Sequence, residues 1–167
     1  MLNPRVARLA LVPAIVLSIG PLGCSSSPTA PSLAHGSMSA TVDDVPWTAT
    51  TNLTATFDGM VLSISGSDAT TTLALSIRNS TGAPLGTGIV SINTSSVSNA
   101  TLTIKPATGS AAPVTLMAGA IAGSGGGPVS ITALSPVSAV GSFTLVFATS
   151  GINGAKAVTD GKYSVKF

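Results

Sequence analysis

From Met38 onward, apolar and polar residues alternate at every second position over short runs. Leu62 and Ile64 alternate with Ser63 and Ser65, Leu73, Leu75 and Ile77 with Ala74 and Ser76, and Leu102 and Ile104 with Thr101 and Thr103. Successive side chains on a strand point to opposite faces, so each run predicts a strand with one apolar face and one hydroxylated face. Further strands are predicted over residues 39–42, 47–57, 88–93, 114–117, 129–134, 140–148 and 162–167. Asp58-Gly59, Ser80-Thr81-Gly82, Asn153-Gly154 and Asp160-Gly161 fall between apolar runs, and these residue types tolerate the positive φ of tight hairpin turns. About eight to ten short strands joined by such turns predict an all-β domain over residues 38–167, either an antiparallel β-sandwich or a small closed barrel. The stretch MAGAIAGSGGG (117–127) is the least strand-like and reads as a loop or an interrupted strand.

The first part of the chain carries a different pattern. Arg5 and Arg8 precede an apolar run over residues 9–19, which Gly20, Pro21 and Gly23 then break. A transmembrane helix needs about 20 apolar residues, so this run is too short to span and reads instead as a secretory signal, residues 1–23. Cys24, the only cysteine, follows at once. A lone cysteine is often just a small buried hydrophobe. It cannot form an intramolecular disulfide, however, and an exposed spare thiol in an oxidising compartment is a liability unless it is modified. Residues 24–37 are rich in Ser and Pro without an apolar period, as a flexible tether would be. His35, the only histidine, lies in this tether with no partner nearby in sequence and reads as solvated.

Charge changes the picture by exclusion. The chain has 7 Lys and Arg, 5 Asp and no Glu. With Arg5 and Arg8 in the leader, five basic residues face five Asp in the rest, so the mature body is neutral. Without a basic cluster it lacks the footprint that phosphate backbones require, and nucleic acid is not an expected partner.

Little catalytic chemistry is legible. A serine nucleophile needs a base, usually His or Lys, and the body has no His, no G-x-S-x-G and no S-x-x-K. Zinc or copper would want Cys and His clusters, and calcium a D-x-D-x-D-G loop. Both are absent, so no catalytic residue, metal ligand or cofactor is assigned. GSGGGP (123–128) lacks the Lys and Ser/Thr of a P-loop and the spacing of a dinucleotide turn, and reads as a mobile hairpin loop. The residues most open to a ligand are Trp47, Asp43 and Asp44, since an exposed indole beside carboxylates could stack on a sugar ring while they accept its hydroxyls. The competing reading packs Trp47 over one end of the sandwich with its Nε1 proton on a backbone carbonyl.

PLGC (21–24) resembles the lipobox of bacterial lipoproteins, in which cleavage before the cysteine exposes it for lipid attachment. MSATVDDVPWTAT (38–50), PVSITALSPVSAVGSFTLVF (128–147) and KAVTDGKYSVKF (156–167) together resemble an uncharacterised family of bacterial lipoproteins with a domain of unknown function. Val42, Asp43, Trp47 and Ala49 match its first element, with Asp44 in place of the usual Gly, and Gly141, Phe143 and residues 159–167 are similar to the later ones. The resemblance implies a secreted β domain held at a membrane through lipid on Cys24, and it implies no activity. Ser25 after the cysteine, where family members retained at the inner membrane tend to carry Asp, leans toward the outer membrane or cell surface.

Three functions follow as expectations. The first is a lipid-anchored cell-envelope module, structural or binding, with an envelope protein or glycan as partner. The second is a small integral outer-membrane β-barrel, because the chain ends Tyr163-x-Val165-x-Phe167. The third is an enzyme using Asp carboxylates on a glycan, which would need a facing carboxylate pair.

Overall fold

The computed structural model describes residues 36–106, 111–119, 121–148 and 154–167. Cys24 and His35 lie outside the described residues, and all those described belong to the compact unit Ser32–Phe167. Among them the chain forms eleven strands: β1 (Ser37–Val42), β2 (Val45–Thr48), β3 (Thr51–Phe57), β4 (Val61–Ser67), β5 (Thr71–Arg78), β6 (Gly88–Ile92), β7 (Asn99–Ile104), β8 (Val114–Ala118), β9 (Gly127–Ser135), β10 (Ser138–Phe147) and β11 (Lys156–Lys166). They make a six-stranded sheet in the order β2-β1-β11-β10-β9-β6 and a five-stranded sheet in the order β3-β4-β5-β7-β8. Neighbours in both sheets run antiparallel. The two sheets pack face to face without closing on each other, so the fold is a β-sandwich and not the small closed barrel.

The alternation read from the sequence builds the five-stranded sheet directly. Leu62, Ile64, Leu73, Leu75, Ile77, Leu102 and Leu116 are all buried on its inner face. Their neighbours face outward in cross-strand rows such as Thr56–Ser63–Ser76–Asn99 and Thr54–Ser65–Ala74–Thr101–Met117. Fully burying a Leu or Ile side chain contributes roughly 1.5–3 kcal/mol, so this row of aliphatics is a large part of what holds the sheet down.

The six-stranded sheet is less regular and holds most of the aromatic core. Phe143, Phe147, Tyr163 and Trp47 are all buried. Phe143 and Tyr163 stack at 6.5 Å between ring centroids, and the Tyr163 hydroxyl donates to the Ser130 carbonyl at 3.2 Å. Burial pushes the Tyr163 phenol above its usual 10.0, so it stays a neutral donor. Room for these rings comes from two missing side chains. A Cβ on Gly141 would stand 2.1 Å from the Ser130 carbonyl oxygen and 2.3 Å from the Tyr163 hydroxyl, and one on Gly161 would stand 2.4 Å from the Phe143 ring.

Three sequence expectations are corrected. The single strand over 47–57 is broken at Ala49 and Thr50, where the chain leaves one sheet for the other, so Trp47 lies on β2 in one sheet and Leu53 on β3 in the opposite one. This crossing is also why there are eleven strands. Asp160-Gly161 is not a hairpin turn. It lies inside β11, where Asp160 has φ 51° and two residues oppose one on both β1 and β10, which is a β-bulge. Asp160 does take a positive φ, but a bulge uses one as readily as a turn does. GSGGGP, finally, is packed against backbone: a Cβ on Gly125 would stand 1.8 Å from the Val146 carbonyl oxygen, and one on Gly126 2.4 Å from that of Ile92. Asp58-Gly59 and Ser80-Thr81-Gly82 do form turns, with Gly59 at φ 90° and Gly82 at φ 73°.

Candidate functional site

Asp43 and Asp44 form the whole two-residue connection between β1 and β2, with Val42 paired to Val45 on either side. Both have positive φ, 46° and 65°, the backbone sign of a type I′ hairpin, in which Asp and Asn stand in for Gly at modest strain. This explains why Asp44 can occupy a position where Gly is usual. Asp43 then ties the hairpin tip to the start of β11. Lys156 Nζ donates to its Oδ2 at 2.5 Å, the Ala157 amide donates to its Oδ1 at 2.9 Å, and its own amide donates to the Ala157 carbonyl at 2.9 Å. The Lys156 ammonium, more than the Ala157 amide, holds the Asp43 carboxyl below the usual 3.8. Asp44 is exposed.

Trp47 lies elsewhere. Its side chain points between the sheets and is only 5 % exposed, so the stacking platform for a sugar is overturned. Alternation decides this, because on β2 it is Val45, 63 % exposed, and not Trp47 that faces solvent. The expected carbonyl partner is missing too: Nε1 is buried with no group in hydrogen-bond geometry. The Asp68 carboxylate nevertheless senses this N–H. Asp68 closes the β4–β5 hairpin, accepting from the amides of Thr70 at 2.8 Å and Thr71 at 2.6 Å and from the Thr70 hydroxyl at 3.1 Å. Burial pulls its carboxyl upward, but these donors together outweigh it and hold it below 3.8.

The remaining carboxylates do not gather. Asp58 accepts from the Met60 amide at 2.8 Å and the Val61 amide at 2.7 Å in the β3–β4 turn, and these two donors lower its carboxyl below 3.8. Asp160 sits in the β11 bulge. A general acid needs a raised pKa, whereas the shifts at Asp43, Asp58 and Asp68 all run downward. Among the described residues no three His, Cys, Asp or Glu side chains form a metal-ligating group.

Among several concavities of about 150–470 Å³, two are lined mostly by hydroxyl and amide side chains. One is a trough of about 240 Å³ on the outer face of the five-stranded sheet, walled by Thr54, Thr56, Ser63, Ser65, Ser76 and Asn99, with no charged group. The other, about 470 Å³, runs beside β6 and carries Arg78, Asn79, Asn93, Ser95 and Ser96 along its wall. Arg78 is its only charged residue, and Ser98, fully buried, fixes the Arg78 backbone: the Arg78 amide donates to Ser98 Oγ at 2.9 Å and that hydroxyl donates to the Arg78 carbonyl at 3.0 Å. Sequence reasoning missed this cleft. The available signal was Arg78 as the only Arg after Arg8, followed by residues 79–97 with no charge at all. No protein-family model matches the chain, and neither a curated protein nor a solved structure does.

Proposed function

We propose that this chain is an exported, lipid-anchored β domain of the cell envelope that works as a non-catalytic binding or structural module, with the outer membrane or cell surface as its location. The observation that carries the reading is Cys24, the only thiol, set at the end of the signal-like apolar run and followed by a Ser- and Pro-rich tether that leads into a sandwich starting at Ser37. Several acyl chains, at about 0.8 kcal/mol per buried methylene, would hold such a chain firmly at a bilayer.

The geometry of the body supports a module over the two alternatives. An integral barrel turns apolar side chains toward lipid, whereas here Leu73, Ile77, Phe147 and Tyr163 are buried between the sheets. A glycan-cleaving enzyme needs a raised carboxyl facing a second one. Asp43, Asp58 and Asp68 instead bind backbone amides in three separate turns.

The test is intact mass and detergent-phase partitioning of the protein expressed with its own leader in a bacterial host, beside Cys24→Ser. Wild type should carry a lipid mass and enter the detergent phase, and the variant should do neither. If both are soluble, the anchor reading fails. If both stay in the detergent phase, the barrel takes its place.

A further inference from the structure

A sandwich with two open sheets exposes four edge strands, and an unprotected edge is a template for another strand. Three of the four are protected here. On β2, Pro46 pairs with Thr41; lacking an N–H, it can only stand at a position turned away from β1, so the middle of that four-residue edge has no donor. On β3 a bulge at Asn52, φ 52°, bends the edge and shifts its register. On β8 the edge is already taken. The Met117 amide donates to the Ala148 carbonyl at 3.0 Å, and the Met117 carbonyl accepts from the amides of Ala148 at 3.0 Å and Gly125 at 3.1 Å.

The fourth edge, β6, has none of these devices. Its segment GIVSI contains no Pro, no charge and no register shift against β9. Ser91 pairs with Pro128, which has no N–H to give, so this pair is not hydrogen-bonded across the ladder. Ser91 and, two positions earlier, Ile89 therefore turn their N–H and C=O groups away from β9. No described backbone or side-chain group bonds to them. Ser91 is exposed, and Ile89 is 74 % exposed, the most open of the large apolar residues described. Two donors and two acceptors thus stand free along one line, bordering the cleft that carries Arg78.

We propose that the β6 edge takes up an extended acidic peptide strand from an envelope protein, which pairs with the main chain of Ile89 and Ser91 and sets a carboxylate on Arg78. Backbone pairing would supply affinity, and alternate side chains reaching the cleft would supply selection. Charge chooses the occupant. Among the described residues Arg78 forms no ion pair, since the one ion pair is Lys156–Asp43, and Asp58 feels the Arg78 charge only as the smallest of its influences. A second copy paired through β6 would bring residues 79–97, which hold no acid, and would leave the guanidinium unanswered. An acidic strand answers it with a charge-assisted hydrogen bond. The proposal rests on the reading of the body as a binding module and does not depend on the anchor.

The test titrates the full chain, purified in mild detergent, into a fluorescein-labelled, end-capped peptide of alternating Val and Thr with one central Asp, and into its Asn twin, following anisotropy. Saturable binding is expected, about tenfold weaker for the twin. Arg78→Gln should weaken the Asp peptide to the level of the twin and leave the twin unchanged. Ser91→Pro, which removes an outward N–H without touching the ladder to β9, should abolish both. A readout that needs no variant accompanies these: amide exchange at Ile89 and Ser91 should slow when the Asp peptide is bound. Failure of both peptides to saturate at millimolar concentration, or binding that leaves those two amides unprotected, overturns the proposal. So does a dimer seen by sedimentation that protects the same amides and excludes the peptide, because the edge then belongs to a second copy. Any of these results leaves the lipid-mass test of the anchor untouched, so the two readings fail separately.

Discussion

The two sheets of this sandwich are built on different terms. In the five-stranded sheet, β4, β5, β7 and β8 pair without a register shift, Leu and Ile point in, and Ser, Thr and Asn point out. In the six-stranded sheet, β11 carries a bulge felt by both its neighbours, β9 shifts against β10, and rings occupy the space left open at Gly141 and Gly161. The first sheet is held by area, which tolerates exchange of one aliphatic for another of similar volume. The second is held by fit, which does not.

The largest expected effect probes the area side. Leu102→Ala, at a fully buried position in β7, should cost about 3–5 kcal/mol in urea unfolding, because lost transfer energy and a cavity add together. On the fit side, Gly141→Ala should cost about 1–3 kcal/mol, since its Cβ meets the Ser130 carbonyl and the Tyr163 hydroxyl, and loss of the near-ultraviolet tyrosine signal should accompany it. The contrast breaks if Gly141→Ala behaves like Thr101→Ala, which removes an outward hydroxyl from the regular sheet and should stay within about 0.5 kcal/mol.

Acid sharpens the comparison at the turns. The carboxyls of Asp43, Asp58 and Asp68 lie below their ordinary 3.8, so in that range the native chain binds fewer protons than the unfolded one. Their contribution is complete above about pH 4 and is lost as pH falls through the folded values, so the urea midpoint should drop on acidification below that point. Asp58→Asn, at the β3–β4 turn, should make this drop shallower. A small effect is expected at the hairpin tip of the other sheet as well. Lys156→Met breaks the exposed ion pair with Asp43 and should change stability by about 0–1 kcal/mol, with the difference fading in high salt.

How much was legible follows the same division. The regular sheet could be read from Leu62 to Ile104 because a period of two shows in the residue types themselves. The β11 bulge could not, because Asp160-Gly161 advertises only a permitted φ, and whether that φ serves a turn or a bulge depends on strands far away in sequence. Trp47 shows the same limit. Its place beside Asp43 and Asp44 in the chain looked like a site, but the hairpin leaves the two carboxylates at its tip while the strand turns the indole inward.

By itself the sequence determined the all-β class, the alternating faces, the turns at Asp58-Gly59 and Ser80-Thr81-Gly82, and the neutral body, since all of these depend on residue type and short spacing. Only the tertiary structure decided that the sheets stay open, that the glycines of 123–128 press against the Ile92 and Val146 carbonyls, and that β6 is the one edge left unprotected beside Arg78. The physical reason is that edges and close approaches are relations between segments distant in the chain, and no local pattern of side chains records which strand will lack a neighbour.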